Sequence, residues 1–256
     1  MFLWIQPCSA NPIAIGLVED GSAFHKGEFI HMPVADVEIN MTRISDSVTV
    51  DLLGIYEIET NQTQNTSLAY VYPSSSLPMN MTIQVDSVET EFVILNWSEL
   101  VGLNFSQDTL DLISRGADFA YFNVSLIANT TMLLQVESHY TFSLEYADYW
   151  QYRYIFGSAR SFDGDTEETI HIHLVEQTPF LSTGFHPEDY LELTQDGIVT
   201  DAIWDFNVSS MELDEVWFSA TVRQTSAPGL IEFVIIISVI LGFAVFAVYY
   251  IQKRLS

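Results

Sequence analysis

Residues Val48–Thr60 read VTVDLLGIYEIET, and their period decides the fold class. Val48, Val50 and Leu52 alternate with Thr49, Asp51 and Leu53. After Gly54, Tyr56 and Ile58 alternate with Glu57 and Glu59. A two-residue period places apolar side chains on one face of a pleated strand and polar ones on the other, as in a sheet with one face on a core. Gly54 interrupts the run and reads as a bulge or bend.

The period recurs outward from this stretch. Thr60–Ser67 (TNQTQNTS) is a polar loop, after which Leu68–Tyr72 resumes a strand that stops at Pro73. Over Met79–Asp86, Met81, Ile83 and Val85 oppose Asn80, Thr82, Gln84 and Asp86. Phe122, Val124 and Leu126 likewise oppose Asn123 and Ser125. Further strands are expected at Tyr121–Ile127, Thr131–Tyr146, Tyr149–Gly157, Glu168–Val175 and near Glu215–Arg223. Ser98–Gly116 breaks the pattern, with Ser106 placed to cap a short helix over Gln107–Arg115 that ends at Gly116. Roughly ten or eleven strands and a single helix predict an all-β chain. The expected form is an antiparallel β-sandwich ectodomain, divided into two sandwiches at 11–100 and 119–223 by a helical crossover at 101–118, in preference to one larger sandwich.

The C-terminal part is different in kind. From Phe233 to Ile251 no residue is charged, and thirteen of the nineteen are Phe, Val, Ile or Leu. At about 1.5 Å per residue this run is roughly 28 Å long, close to the hydrocarbon thickness of a bilayer. It predicts a transmembrane α-helix over 230–251, preceded by a short stalk at 224–229 and followed by a tail at 252–256. Lys253 and Arg254 follow the apolar run, while the charged residues just before it are mostly acidic, with Arg223 the one basic residue against Glu212, Asp214, Glu215 and Glu232. Basic residues collect on the cytoplasmic side, so the long N-terminal part should be extracellular. A tail-anchored protein with a cytoplasmic domain has the same outline, and these two charges argue against it. Met1–Ala10 (MFLWIQPCSA) reads as the end of a signal peptide with a small-residue cleavage site, lacking a basic leader and so expected to start upstream.

A second signal points to export. Nine of the ten asparagines begin N-x-S/T: Asn40, Asn61, Asn65, Asn80, Asn96, Asn104, Asn123, Asn129 and Asn207. One such triplet carries no weight, but nine of ten exceed what the Ser and Thr content gives by chance. Most are expected to be N-glycosylated. All 34 acidic residues precede the apolar run, against six basic ones there, which leaves a formal charge of −28. Such a surface excludes nucleic acid and anionic lipid as ligands and favours cations or basic partners. Cys8 is the only cysteine, so no intrachain disulfide can form. Acidic, cysteine-poor and sequon-rich composition together indicate an archaeal cell surface.

Four features could carry chemistry. Asp163, Asp165 and Glu167 (DGDTE) alternate oxygen donors around a glycine, as calcium loops do, but position twelve is Leu174 where an EF-hand needs Glu, and a solvated hairpin turn is the preferred reading. His171 and His173 share one strand face opposite Ile170, Ile172 and Leu174. They could grip zinc, yet no third ligand lies nearby in sequence, and an exposed polar face is preferred. Tyr140, Phe142, Tyr146, Tyr149, Trp150, Tyr152, Tyr154 and Phe156 could stack on sugar rings, though core packing is preferred. Ser238 and Gly242 form a small-xxx-small pair that could let two membrane helices approach closely. No G-x-S-x-G, H-E-x-x-H or glycine-rich phosphate loop occurs, so no enzymatic activity and no cofactor are expected.

The segments YWQYRYIFGSARSFDGDTEETIHIHL (Tyr149–Leu174), VTVDLLGIYEIET and LAYVYP resemble uncharacterised exported β-rich proteins of archaea and bacteria that end in one membrane helix. The resemblance implies a β-rich exported domain and supplies no site residues. The expected function is a non-enzymatic adhesion, envelope-structural or ligand-binding role for a single-pass surface glycoprotein. Its partner-binding face is expected within the sequon-free run Thr131–Phe206. An accessory subunit of a membrane complex is the alternative, and a surface hydrolase using an acid pair or a His171/His173 metal site a third reading.

Overall fold

The alternation read at Val48–Thr60 is realised as an unbroken strand. Ser47–Thr60 (β4) buries every second residue, and Ile30–Ile44 (β3) does the same, the two joined by a tight turn in which Ser45 takes a positive φ of 54°. The computed structural model describes residues 15–21, 23–25, 29–72, 79–103, 118–145, 147–156, 159–160, 162–212 and 215–222. The expected signal remnant 1–10 with Cys8, the Asn104 sequon and the Ser106-capped helix at 107–115 lie outside those residues. So do the expected stalk at 224–229, the expected membrane segment 230–251 with Ser238 and Gly242, and Lys253 and Arg254. Among the described residues no helix is long and apolar enough to cross a membrane.

The remaining strands are Ile15–Gly21 (β1), Ala23–His25 (β2), Gln64–Tyr72 (β5), Met79–Val85 (β6), Val88–Glu89 (β7) and Val93–Asn96 (β8). A five-residue helix, Trp97–Val101 (α1), follows. Then come Asp118–Leu126 (β9), Thr131–Ser143 (β10), Tyr149–Ile155 (β11), Glu167–Glu176 (β12) and Ser182–His186 (β13). Leu191–Asp196 (β14), Val199–Asn207 (β15) and Glu215–Thr221 (β16) complete the set. They form an eight-stranded sheet in the order β14-β15-β12-β3-β4-β10-β6-β7 and two four-stranded sheets, β1-β11-β16-β13 and β2-β5-β9-β8. Pairing is antiparallel except between β1 and β11 and between β3 and β12. The chain is therefore all-β and sandwich-like, with the inner faces of all three sheets contributing to one buried cluster.

That cluster is rich in aromatic rings. Trp150 of β11 lies 5.0 Å from Phe142 of β10 and 5.4 Å edge-on from Phe218 of β16, measured between ring centroids. Phe185 of β13 meets Trp204 of β15 at 6.2 Å, and Tyr56 of β4 meets Tyr70 of β5 at 6.2 Å. These contacts join the large sheet to both small ones, and each pair adds about 0.5–1.5 kcal/mol beyond the area it buries. Of the aromatic run singled out in the sequence, Tyr140, Phe142, Trp150, Tyr152, Tyr154 and Phe156 are buried and Tyr149 is half-buried. They are core, not a sugar-stacking strip; Tyr146 lies outside the described residues.

Two expectations need correction. The division at 101–118 does not describe this chain. β3, β4, β6 and β7 share the large sheet with β10, β12, β14 and β15, and residues 1–223 make one unit. Long-range pairing, which no local period encodes, interleaves the two halves. Gly54 is also not a bulge, because β4 keeps register with β3 and β10 straight through it. A Cβ there would come within 2.8 Å of the Tyr56 ring, so glycine makes room for that side chain. The one register shift in this hairpin falls between His31 and Val34.

Candidate functional site

Strand register brings the histidines of β12 to a partner that the sequence keeps distant. His171 and His173 are half-exposed on the outer face of the large sheet, with Ile170, Ile172 and Leu174 buried beneath them. β15 runs antiparallel beside β12, so Asp201 pairs directly with His173. Asp201 Oδ1 lies 3.0 Å from His171 Nε2 and 2.7 Å from His173 Nδ1. Hydrogen bonds from His173 and His171, in that order, hold the Asp201 carboxyl below its ordinary pKa, outweighing partial desolvation. Among the described residues, His171, His173 and Asp201 are the one group of His, Cys, Asp or Glu whose three donor atoms lie within 4.8 Å of one another. Sequence reasoning missed Asp201 because a cross-strand neighbour is fixed by register, not by spacing.

The other candidate ligands do not converge. Asp163, Asp165 and Glu167 are exposed around Gly164, whose φ of 84° requires glycine, and the Asp163 N–H donates to the Ile30 carbonyl at 2.7 Å. The segment is an exposed bend, but β11 before it and β12 after it lie in different sheets, so it is not a hairpin turn. His139 pairs instead with Asp51 across β10 and β4, Nδ1 to Oδ1 at 2.5 Å. A cleft of about 730 Å³ beside β13 is lined by His186, Glu188, Asp189, Tyr190, Met211 and Glu212, among others. Its three carboxylates oppose an anionic ligand.

The sequons map onto solvent-facing positions. Asn61, Asn65, Asn80, Asn96, Asn123 and Asn129 are exposed, and Asn40 and Asn207 are half-exposed. Asn65 and Asn123 are cross-strand neighbours of each other's sequon serine: Ser125 Oγ donates to Asn65 at 2.8 Å, and Ser67 Oγ donates to Asn123 at 2.7 Å. Asn96 has a further task as N-cap of α1, where its Oδ1 accepts from the Glu99 N–H at 3.1 Å. Asn207 caps the 3₁₀ turn at 208–210 in the same manner. Both caps use Oδ1, which leaves Nδ2, the atom a glycan would occupy.

The sequon-free run Thr131–Phe206 is divided between sheets, with β11 and β13 in one and β10, β12, β14 and β15 in another. β10, β12 and β15, which supply much of Thr131–Phe206, lie among sequon-bearing strands; Asn40 pairs with His173 and Asn80 with His139. The sheet without a sequon is β1-β11-β16-β13. Its outer face presents Gln151, Arg153, Trp217 and Ser219, all half-buried. Arg153 Nε donates to Glu215 at 2.9 Å, and His186 stacks on Trp217 at 4.0 Å between ring centroids.

No family model matches this chain, and no curated protein matches it. Among solved structures, a candidate nutrient-binding protein from Legionella pneumophila is similar over 80% of this chain and 71% of its own, at 12% identity and a TM-score of 0.56. An M1 zinc metallopeptidase from Deinococcus radiodurans is similar over 75% of this chain at 6% identity and a TM-score of 0.37; the chain spans 42% of that protein's length. The first likeness shows the fold alone, and the second carries no argument.

Proposed function

We propose that this chain is a single-pass cell-surface glycoprotein with a non-enzymatic role in adhesion, envelope structure or ligand binding. The observation that carries this reading is the placement of its sequons: all eight described ones stand on exposed or half-exposed positions, although a β chain hides about half its residues. The charge-free run at 233–251 supplies the anchor, and Lys253 and Arg254 direct the tail inward. Glycans on two sheets would leave the outer face of β1-β11-β16-β13 as the open ground for a partner. That face combines Trp217 and Arg153, residue types enriched where proteins bind one another.

Protease treatment of intact cells, followed by enzymatic deglycosylation of the released fragment, tests the reading. The fragment is expected to be shed from outside and to lose the mass of several glycans. A protected chain with unmodified asparagines would invert the topology and overturn it.

A further inference from the structure

We propose that His171, His173 and Asp201 form a binding site for a divalent first-row ion of the zinc class, with its remaining coordination position open to solvent. The donors are His171 Nε2, His173 Nδ1 and Asp201 Oδ1, two imidazole nitrogens and one carboxylate oxygen. That set suits zinc and is too poor in oxygen for calcium or magnesium. The two rings stand 80° apart with centroids at 6.3 Å and do not stack, while one nitrogen of each lies within hydrogen-bond distance of Asp201 Oδ1.

Zinc bonds of about 2.0–2.1 Å in a tetrahedron put ligand atoms roughly 3.3 Å apart. Asp201 Oδ1 is now 3.0 and 2.7 Å from the two nitrogens. Seating an ion therefore means opening these two contacts by roughly 0.3 and 0.6 Å, while the two nitrogens lie within 4.8 Å of each other, adjustments within reach of half-exposed side chains. About a third of each side chain is exposed, so the fourth position faces water or a donor from outside. β3 runs on the other side of β12, and its Glu38 pairs with His171. The acidic surface draws a cation toward the cluster, and a glycan on Asn40, which pairs with His173, would border the site.

The test uses the full-length glycosylated chain in detergent, without a histidine tag, equilibrated by dialysis against zinc and assayed by elemental analysis. One zinc per chain is expected, and cobalt(II) in its place should give the visible ligand-field bands of a four-coordinate site. Asp201→Asn and His173→Ala should each weaken zinc binding at least tenfold while leaving the far-ultraviolet circular dichroism unchanged. His139→Ala, which lies three strands away at about 14 Å, should leave it intact. Calcium at the same concentration should not bind there. Absence of stoichiometric zinc in the wild-type chain, or equal zinc in wild type and Asp201→Asn, would overturn the proposal. Neither result bears on surface exposure or glycosylation, so the two readings fail separately.

Discussion

Replacing Glu168 with glutamine should stabilise the folded chain, by an amount that grows with pH. Glu168 points inward from β12, is fully buried, and pairs in register with Ala35 of β3 and Phe206 of β15. Burial raises its pKa to about 8, opposed only in part by the Tyr154 hydroxyl. That hydroxyl also lies 3.2 Å from Tyr56 Oη, which in turn donates to Tyr70 at 3.3 Å. In the unfolded chain the same carboxyl titrates near its ordinary value of 4.5. Between these values the folded state holds a proton that the unfolded state has released, so stability is full below about pH 4.5, falls as pH rises, and stops falling near pH 8. At about 1.4 kcal/mol per pH unit the loss is on the order of 3 kcal/mol by pH 7. Glutamine keeps nearly the same shape and has no proton to lose. Urea unfolding of both chains, followed by tryptophan fluorescence at pH 5, 6, 7 and 8, separates this group from the other carboxylates, which titrate alike in both. The stability difference between variant and wild type should climb by a few kcal/mol across that series. A difference flat to within about 0.5 kcal/mol would show that Glu168 ionises normally and refute the reasoning.

Other perturbations reach different parts of the molecule. Gly54→Ala presses a methyl group against the Tyr56 ring and should cost about 1–3 kcal/mol, read as a lowered Tm; an unchanged Tm would mean that Tyr56 has room to move. Asn96→Ala removes both a cap and a sequon and should cost about 1 kcal/mol, whereas Ser98→Ala removes the sequon and one hydroxyl bond to Asn96 Oδ1 but keeps the cap's bond to the Glu99 N–H and should cost less; equal losses would mean that this bond contributes little. Ser219→Asn creates an N-A-T triplet on the sequon-free sheet and should abolish high-mass adducts after chemical cross-linking on intact cells. Glu192→Asn, which creates N-L-T on the exposed edge strand β14, should leave those adducts in place; adducts surviving Ser219→Asn would move the partner face elsewhere.

The parts of the fold that a two-residue period encodes were legible in the sequence. Asn80 and Asn123 fall on the outer face and Ile83, Phe122 and Val124 are buried, as their alternation requires. His171 and His173 share the face assigned to them, because side-chain direction along one strand is a local property. Which strands become neighbours is not local. The parallel pairing of β3 with β12 joins segments more than a hundred residues apart and makes one sandwich-like unit where the break at 101–118 implied two. Asp201 was hidden for the same reason. The β14–β15 hairpin, by contrast, carried a readable signal: Asp196-Gly197 is a turn dipeptide, and Gly197 has a φ of 62°.

The order of strands in the smaller sheet dictates when the chain can finish folding. β16 lies between β11 and β13, yet it is the last of the described strands in sequence. Until it arrives, β11 and β13 each present a row of unpaired backbone groups, and Trp150 lacks the Phe218 ring that closes over it. A chain emerging from the ribosome therefore cannot seal this layer until residue 221 has been delivered. Nascent chains halted short of Glu215 should be prone to stick to one another, because both of those edges stay open.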